Sequence, residues 1–226
     1  MESKNYYDTI VTDFLKPEAK LFKFGSIGDG GYYLKPETIK KSKLLFSGGI
    51  SSNLEFEFDM FRFNPTAKIL MIDPTVSKSK LLLKGLVRLF FKKPYKLRYL
   101  YNTLIFMDLL KNERCKHLSL WLKDPIQLLE LAKSNFNIED GVLLKLDIEG
   151  SEYDFLKEIT SNLDRFSAMV FEFHDVHKNH NLVYEFIKTC STTFNLVHIE
   201  INPSGGFDAG NRPKCIEVSL ERKNIF

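Results

Sequence analysis

The chain has 226 residues, of which 44% are hydrophobic and 27% charged, and its formal net charge is +3 at pH 7. These values are typical of a globular protein and exclude a disordered or fibrous chain. The length favours a single α/β domain over residues 1–226, with insertions, over two small domains. The amino terminus lacks the apolar core of a signal peptide, and no run approaches about 18 apolar residues, so we expect a cytoplasmic protein.

Three cysteines, Cys115, Cys190 and Cys215, are widely spaced and form no C-x-x-C pair or other zinc-binding pattern. An odd number of such cysteines favours a reducing compartment. The aromatic share is high, with 20 phenylalanines. It is consistent with either a Phe-rich core or an apolar substrate groove.

Seven apolar runs bounded by turn residues predict seven strands. They span 42–49, 67–74, 115–122, 141–147, 167–174, 194–202 and 213–220. Helical patterns occur at about 6–15, from about 52, in the basic segment 77–98, and at 124–134, 151–159 and 181–189. This alternation predicts a parallel sheet with helices on both faces. The short glycine-containing segment between the last two strands predicts an antiparallel hairpin, because it cannot hold a crossover helix.

The segment after the second predicted strand is strongly basic, since no acid occurs between Asp73 and Asp108. A spacing of four relates Lys80, Lys84, Arg88 and Lys92. That spacing aligns the charges along one side of an amphipathic helix, within a helical insertion at about 77–112. Two interpretations remain open: an ordinary insertion helix with a solvated basic side, or a peripheral contact with an anionic substrate or the inner membrane face. No nucleic-acid partner is expected, because no binding motif accompanies the charge.

Glycines and an acid follow the first two predicted strands. Gly48 and Gly49 end the first strand and precede Ser51, at a place where the backbone can approach a ligand closely. Asp73 ends the second, where an acid can accept hydrogen bonds from ribose hydroxyls. The carboxyl ends of parallel strands form the ligand crevice of open α/β sheets. The alternative for the two glycines is an ordinary strand-to-helix turn. The alternative for Asp73 is a solvated acid at the end of a strand.

Two turns are predicted around the first of these strands. Ser52 and Glu55 fit a capping box, with Ser52 as the cap of the following helix. Upstream, Asp29 and the two glycines after it predict a tight turn in the segment 28–34. Asp-Gly is also typical of hairpins, so this turn needs no ligand.

Acids and a histidine follow later strands. The run LLKLDIEGSEYDFL, 143–156, passes from a strand through Asp147 and Glu149 into a helical pattern, and His174 ends the strand at 167–174. All three side chains are expected in the same crevice. His174 could act as a general base oriented by a carboxylate, since histidine titrates near neutral pH. The same residue types could instead hold a divalent cation, so the metal stays unassigned.

The order of these motifs resembles the FkbM-type methyltransferase family. The matching segments are GDGGYYL at 28–34, FSGGISSNLEFE at 46–57, LKLDIEGSEYDFL at 144–156, FEFHDV at 171–176 and CIEVSL at 215–220. The resemblance implies the class I methyltransferase fold: a Rossmann-like, seven-stranded, mostly parallel sheet with an antiparallel C-terminal hairpin and helices on both faces. It implies S-adenosyl-L-methionine as cofactor, bound by Asp29, Gly48, Gly49, Ser51, Asp73 and Asp147. It further implies catalysis by Asp147, Glu149 and His174.

The implied function is O-methylation of a hydroxyl on a sugar, glycan or polysaccharide intermediate, with a small-molecule or glycan acceptor that could be phosphorylated or lipid-linked. The stretch from His198 through Glu200 to Asn202 departs from the H-x-H-x-N-N pattern of relatives, so no role is carried over to it. One alternative is an inactive methyltransferase-like module that binds a membrane or protein partner through the basic helix. A nicotinamide-dependent oxidoreductase or nucleotide-sugar enzyme is disfavoured, because G-x-G-x-x-G is absent. The sequence indicates no particular oligomeric state.

Overall fold

The computed structural model describes residues 6–17, 20–28, 30–77, 79–80, 83, 96–123 and 127–223. The helices are α1 (Tyr6–Phe14), α2 (Pro36–Lys41), α3 (Glu55–Phe63), α4 (Lys96–Leu109), α5 (Leu128–Phe136), α6 (Leu156–Ser161) and α7 (Val176–Cys190). The strands are β1 (Phe22–Gly25), β2 (Gly31–Leu34), β3 (Leu44–Gly48), β4 (Lys68–Ile72), β5 (Cys115–Leu118), β6 (Val142–Leu146), β7 (Phe166–Phe173), β8 (Phe194–Ile201) and β9 (Ile216–Arg222). A 3-10 helix, Ser151–Phe155, precedes α6.

The main sheet has seven strands in the order β5-β4-β3-β6-β7-β9-β8. The first five in that order are parallel, and β9 runs antiparallel to both of its neighbours. All seven strands predicted from the apolar runs are present, and the last two pair as the predicted hairpin. The Rossmann-like class I methyltransferase fold is therefore confirmed.

Each face of the sheet carries a hydrophobic cluster, because successive side chains of a strand point to opposite faces. On β3, Leu44 and Phe46 join one cluster and Leu45 joins the other. Helices α1, α5, α6 and α7 contribute to the first cluster, and α2, α3 and α4 to the second. Every residue of β3, β6 and β7 is buried, as expected for central strands covered on both faces.

A second, two-stranded sheet of β1 and β2 was not predicted from the apolar runs. Its strands have four residues each and pair antiparallel, with Phe24 opposite Tyr32. Such short strands show little alternation, and only the Asp-Gly hairpin pattern indicated them. Asp29, predicted in the turn, lies outside the described residues.

The capping box predicted for α3 was wrong. The helix begins at Glu55, and its cap is Leu54, which makes no side-chain capping bond. Instead the Leu54 backbone N–H donates to Asn102 Oδ1 of α4 over 2.6 Å. The Glu55 N–H, which the predicted capping box assigned to Ser52, donates to Asn53 Oδ1 over 3.3 Å. Similarly, α7 begins at Val176, five residues before the predicted start.

The predicted basic insertion at about 77–112 lies largely outside the described residues, and its described part contains helix α4 at 96–109. The membrane-contact hypothesis for 77–98 thus stays a prediction. No helix in the described part of the chain is long and apolar enough to cross a membrane. The three cysteines are buried and form no disulfide.

Candidate active site

A cavity of about 800 Å³ opens where β3, β4 and β6 end, and we call it the central cavity. Its volume lies within the range of about 300–1,000 Å³ found for small-molecule sites. Gly49, Asp73 and Asp147 all line it. Their convergence follows from the strand order. Strands β3 and β6 are neighbours, but the chain continues from β3 to β4 on one side and from β6 to β7 on the other, so the loops after them diverge and leave a crevice.

Most of the other predicted site residues also reach the central cavity. Ser51, Glu149 and His174 line it. Gly48 is not among the lining residues. A Cβ at Gly48 would approach Leu122 Cδ1 to 2.5 Å and Leu146 Cδ2 to 3.0 Å, so this glycine serves close packing beneath the cavity.

Gly49 occupies a position that only glycine fits. Its φ is +77°, and a Cβ there would lie 1.6 Å from the backbone oxygen of Asp147. Its N–H donates to the Ile72 carbonyl over 3.0 Å. The turn after β3 is therefore held against both neighbouring strand ends, and its bare backbone forms part of the cavity wall.

The Asp73 carboxylate is buried and firmly oriented. Its Oδ2 accepts the Ser51 N–H over 2.7 Å, and its Oδ1 accepts both the N–H and the hydroxyl of Thr75 over 2.6 Å. Three of the roughly four acceptor positions of an ionised carboxylate are thus filled. Asp73 retains capacity for one further hydroxyl donor from the cavity.

A buried lysine in the wall of the central cavity was missed by the sequence analysis. Lys145 of β6 is 2% exposed, and its Nζ donates to the Gly49 carbonyl over 2.9 Å. The same Nζ lies 3.7 Å from Glu57 Oε1, on α3, and 3.9 Å from Asp147 Oδ2. Lys145 therefore ties the glycine turn to two carboxylates. The sequence does mark this residue, because Lys145 is a charged residue within the otherwise apolar run of β6.

Glu152 is a second functional residue that the sequence analysis missed. It is fully buried, and its Oε1 accepts the backbone N–H groups of Ile148 and Gly150 over 2.9 and 3.3 Å. The same oxygen lies 3.0 Å from His174 Nδ1. Glu152 thus fixes both the loop after β6 and the orientation of the imidazole. In the sequence it lies inside the helical pattern at 151–159, and nothing there distinguishes it from a solvated acid.

The pKa of His174 is raised to about 9. Burial lowers this pKa, but the hydrogen bond to Glu152 and the negative charges of Glu152, Glu172 and Asp147 outweigh it. The imidazole is therefore protonated at neutral pH in the protein as described. A protonated imidazole cannot accept a further proton. His174 can therefore act as a general base only after it has lost the proton that it carries.

Glu149 differs from the other acids because its side chain is 89% exposed. Its backbone has a φ of +57°, next to Gly150 at +100°. Its Oε2 lies 3.6 Å from His174 Nε2. This tight turn presents the Glu149 carboxylate to the cavity mouth, where an incoming molecule can meet it.

Two large side chains that the sequence analysis left unassigned also line the central cavity. Trp121, in the loop after β5, is 62% exposed, although tryptophan is usually well buried. Arg98 of α4 donates from Nε to Glu55 Oε1 over 3.0 Å. Its buried Nη2 has no hydrogen-bond partner among the described residues.

The lining residues fit S-adenosylmethionine. The Gly49 turn provides a backbone surface that no side chain obstructs, and Asp73 can accept one more hydroxyl, as from a ribose. Gly30, from the turn between β1 and β2, also lines the cavity, although its neighbour Asp29 is not described. The predicted cofactor contacts of Ser51 and Asp147 stay predictions.

Residues 114–203 match the family model described as the methyltransferase FkbM domain. Among curated proteins, none matches the sequence. Among the solved structures that are similar, three methyltransferases each give a TM-score below 0.5, so they do not bear on the function of this chain. A precorrin-6y C5,15-methyltransferase from Geobacter metallireducens gives a TM-score of 0.43 at 10% identity, with 84% of this chain and 85% of that chain covered. A predicted O-methyltransferase from Agrobacterium tumefaciens gives 0.35 at 10% identity, with 85% and 82% covered.

The third structure, a mitomycin 7-O-methyltransferase, gives a TM-score of 0.36 at 12% identity, with 82% of this chain and 50% of that chain covered. The family match includes the loop after β6, with Asp147 and Glu149, and the end of β7, with His174. These are the parts of the chain where the family resemblance placed catalysis. Residues 114–203 thus match the methyltransferase FkbM domain, and together with the class I methyltransferase fold this match identifies the chain as an S-adenosylmethionine-dependent methyltransferase.

Proposed function

We propose that the protein methylates a hydroxyl group of a sugar or glycan intermediate. The observation that carries this proposal is the exposed indole of Trp121, which lines the same cavity as Asp73 and the carboxylates near His174. An aromatic face offers an apolar surface to the C–H groups of a sugar ring, while surrounding polar groups take its hydroxyls. A mostly apolar acceptor would not need so many acids in the wall.

For methyl transfer the protein mainly has to align the cofactor with the acceptor and remove a proton from the acceptor hydroxyl. S-adenosylmethionine supplies an electrophilic methyl group when it is bound. The carboxylates of Asp147 and Glu149 line the cavity and can accept a hydrogen bond, and finally the proton, from the acceptor hydroxyl. His174, held by Glu152, stabilises these carboxylates as a cation at neutral pH.

Arg98 supports an acceptor that carries an anionic group. A guanidinium N–H that is buried without a partner costs free energy, and a phosphate or carboxylate of the ligand would supply the missing acceptor. The Nε of the same side chain is already held by Glu55, so the fork is positioned before a ligand binds. A hexose phosphate or uronic acid is therefore the acceptor class that we propose.

The proposal is tested by following transfer of labelled methyl from S-adenosylmethionine to a panel of hexoses, hexose phosphates, uronic acids and matched amines. We expect methyl ethers, with hexose phosphates or uronic acids as the better acceptors. Transfer only to the amines would contradict the proposal.

Trp121→Ala is expected to raise KM for the best acceptor of that panel about tenfold and to leave binding of S-adenosylhomocysteine unchanged. The reason is that the variant removes the apolar platform without touching the cofactor residues. Phe207→Ala is the control, because Phe207 is also exposed but does not line the central cavity. An unchanged KM in Trp121→Ala would show that the Trp121 indole does not contact the acceptor.

Asp73→Asn is expected to weaken binding of S-adenosylhomocysteine by about 10–100-fold in a calorimetric titration. A hydrogen bond to a charged group contributes about 1.5–3 kcal/mol, and the amide no longer provides that charge. Asp140→Asn is the control, since Asp140 lies before β6, at the opposite edge of the sheet, and pairs with Lys43 on the surface. Thr75→Val tests the internal hydrogen bonds separately. Unchanged affinity in Asp73→Asn would exclude the ribose contact.

A further inference from the structure

A cluster of three different donor groups lies at the edge of the central cavity. Glu172 and His174 stand at the end of β7, and Cys215 directly precedes β9, its antiparallel neighbour. Cys215 Sγ lies 3.1 Å from Glu172 Oε1, and His174 Nε2 lies 3.6 Å from the same oxygen. One donor atom from each of the three residues lies within 4.8 Å of the others.

These separations suit a small metal ion. With metal–ligand distances of about 2.0–2.3 Å, the donors of a tetrahedral site lie about 3.3–3.7 Å apart. Two edges of the triangle already fall near that spacing, and the third requires only side-chain movement. Thiolate, imidazole and carboxylate together are typical ligands of zinc and chemically similar divalent ions, whereas magnesium and calcium prefer oxygen.

Two residues outside the cluster, Glu152 and Asn202, orient its side chains, as the residues around the ligands of metal sites do. Glu152, fully buried, lies against His174 Nδ1 and leaves Nε2 directed toward Glu172. Asn202 Nδ2 donates to Glu172 Oε1 over 3.0 Å. A histidine whose second nitrogen is bound by a carboxylate is a regular feature of zinc sites, because it fixes the ring and increases its basicity.

Buried polar atoms without partners adjoin the cluster. Glu217 is 4% exposed and accepts from Asn202 through Oε1, but its Oε2 has no hydrogen-bond partner among the described residues. The buried Tyr32 hydroxyl, which lies near the charges of Glu172 and Glu217, also has no hydrogen-bond partner among the described residues. The buried acids Glu152, Glu172 and Glu217 outnumber the one imidazole among them, and a divalent ion would offset their negative charge.

We propose that Glu172, His174 and Cys215 form a binding site for one divalent ion of the zinc class. Glu172 and His174 both line the central cavity, so the fourth coordination position faces the space available to the acceptor. There the ion would lower the pKa of a bound acceptor hydroxyl. Cys215 binds as the thiolate and His174 as the neutral imidazole, so a proton from each passes to solvent when the ion enters. The site goes beyond the proposed function, and only its role toward the hydroxyl rests on it.

The test uses Co²⁺ as a spectroscopic probe of the full-length protein. We expect one Co²⁺ per chain, with a sulfur-to-cobalt charge-transfer band in the near ultraviolet. One equivalent of Zn²⁺ should remove this band, and Mg²⁺ should not. Absence of the band in the unmodified protein overturns the proposal without any variant.

Variants locate the site. Cys215→Ala is expected to abolish the charge-transfer band, and Cys190→Ala, which removes another buried thiol, is expected to keep it. Should Cys215→Ala fail to fold, retention of the band in both Cys190→Ala and Cys115→Ala still assigns it to Cys215, because the chain has three cysteines. Loss of the band in either control variant alone, or its persistence in Cys215→Ala, overturns the proposal.

Glu152→Gln keeps the size of the outer-shell residue and removes its charge. We expect it to weaken Co²⁺ binding by about 10–100-fold. Binding of S-adenosylhomocysteine is measured on every sample, so failure of the metal site is distinguished from failure of the cofactor site. Tight cofactor binding without Co²⁺ binding rejects the metal site alone.

Discussion

Gly49→Ala is expected to lower the free energy of unfolding by about 3–5 kcal/mol and to abolish measurable binding of S-adenosylhomocysteine. The added Cβ would lie 1.6 Å from the Asp147 carbonyl oxygen, and the φ of +77° is unfavourable for any other residue. Steric overlap in a packed site and backbone strain each cost about 1–3 kcal/mol. Denaturant unfolding and calorimetric titration measure the two effects.

Gly28→Ala is the matched control, because a Cβ at Gly28 would meet nothing within 4 Å. It should leave both stability and cofactor affinity near their original values. If Gly49→Ala retained normal affinity, the turn after β3 would not form the cofactor surface, and the assignment of this end of the cavity would be wrong.

The parts of the site that the sequence predicted are those that depend on chain order. Gly49, Asp73 and Asp147 each follow an apolar run, and parallel strands necessarily bring such ends to one edge. Nothing about side-chain partners was needed for that step. The same reasoning placed His174 in the cavity, because it follows a fifth parallel strand.

The parts that the sequence did not predict depend on contacts between distant elements. Asn102 caps α3 from another helix, and Glu57 meets Lys145 from the layer above the sheet. Hydrophobic periodicity assigns a residue to a face but does not identify its neighbour there. The role of Cys215 was hidden for the same reason, since its cluster forms through strand pairing and not through a spacing in the chain.

The protonated state of His174 is a further result that only the fold provides. The sequence indicated that carboxylates would surround this histidine and allowed it to act as a base. The structure shows that Glu152 and two neighbouring acids hold its pKa at about 9, despite burial. Of these three acids only Asp147 was assigned to the site from the sequence, and together they stabilise the imidazolium.

The second large effect is expected for Lys145→Met, which should destabilise the protein by about 3–5 kcal/mol. The substitution leaves the Glu57 carboxylate, which is fully buried, without its cation. Removing one partner of a buried ion pair typically costs this amount, because the other charge stays desolvated. The hydroxyl of Ser47, 2.5 Å from Glu57 Oε1, provides only part of the compensation.

A double variant separates the lost charge pairing from lost packing. Lys145→Met combined with Glu57→Gln is expected to recover much of the stability, since neither side chain is then ionised. Lys43→Met provides a surface control, because its partner Asp140 is well exposed and such pairs contribute little. Equal destabilisation of the single and double variants in urea unfolding would show that the pairing is not responsible.

Cofactor binding should respond differently from stability in this double variant. Lys145 also donates to the Gly49 carbonyl, and neither methionine nor glutamine replaces that bond. We therefore expect the double variant to regain its fold while S-adenosylhomocysteine still binds at least tenfold more weakly, at a cost of about 1.4 kcal/mol. Full recovery of both properties would mean that the ion pair, and not the bond to Gly49, positions the turn.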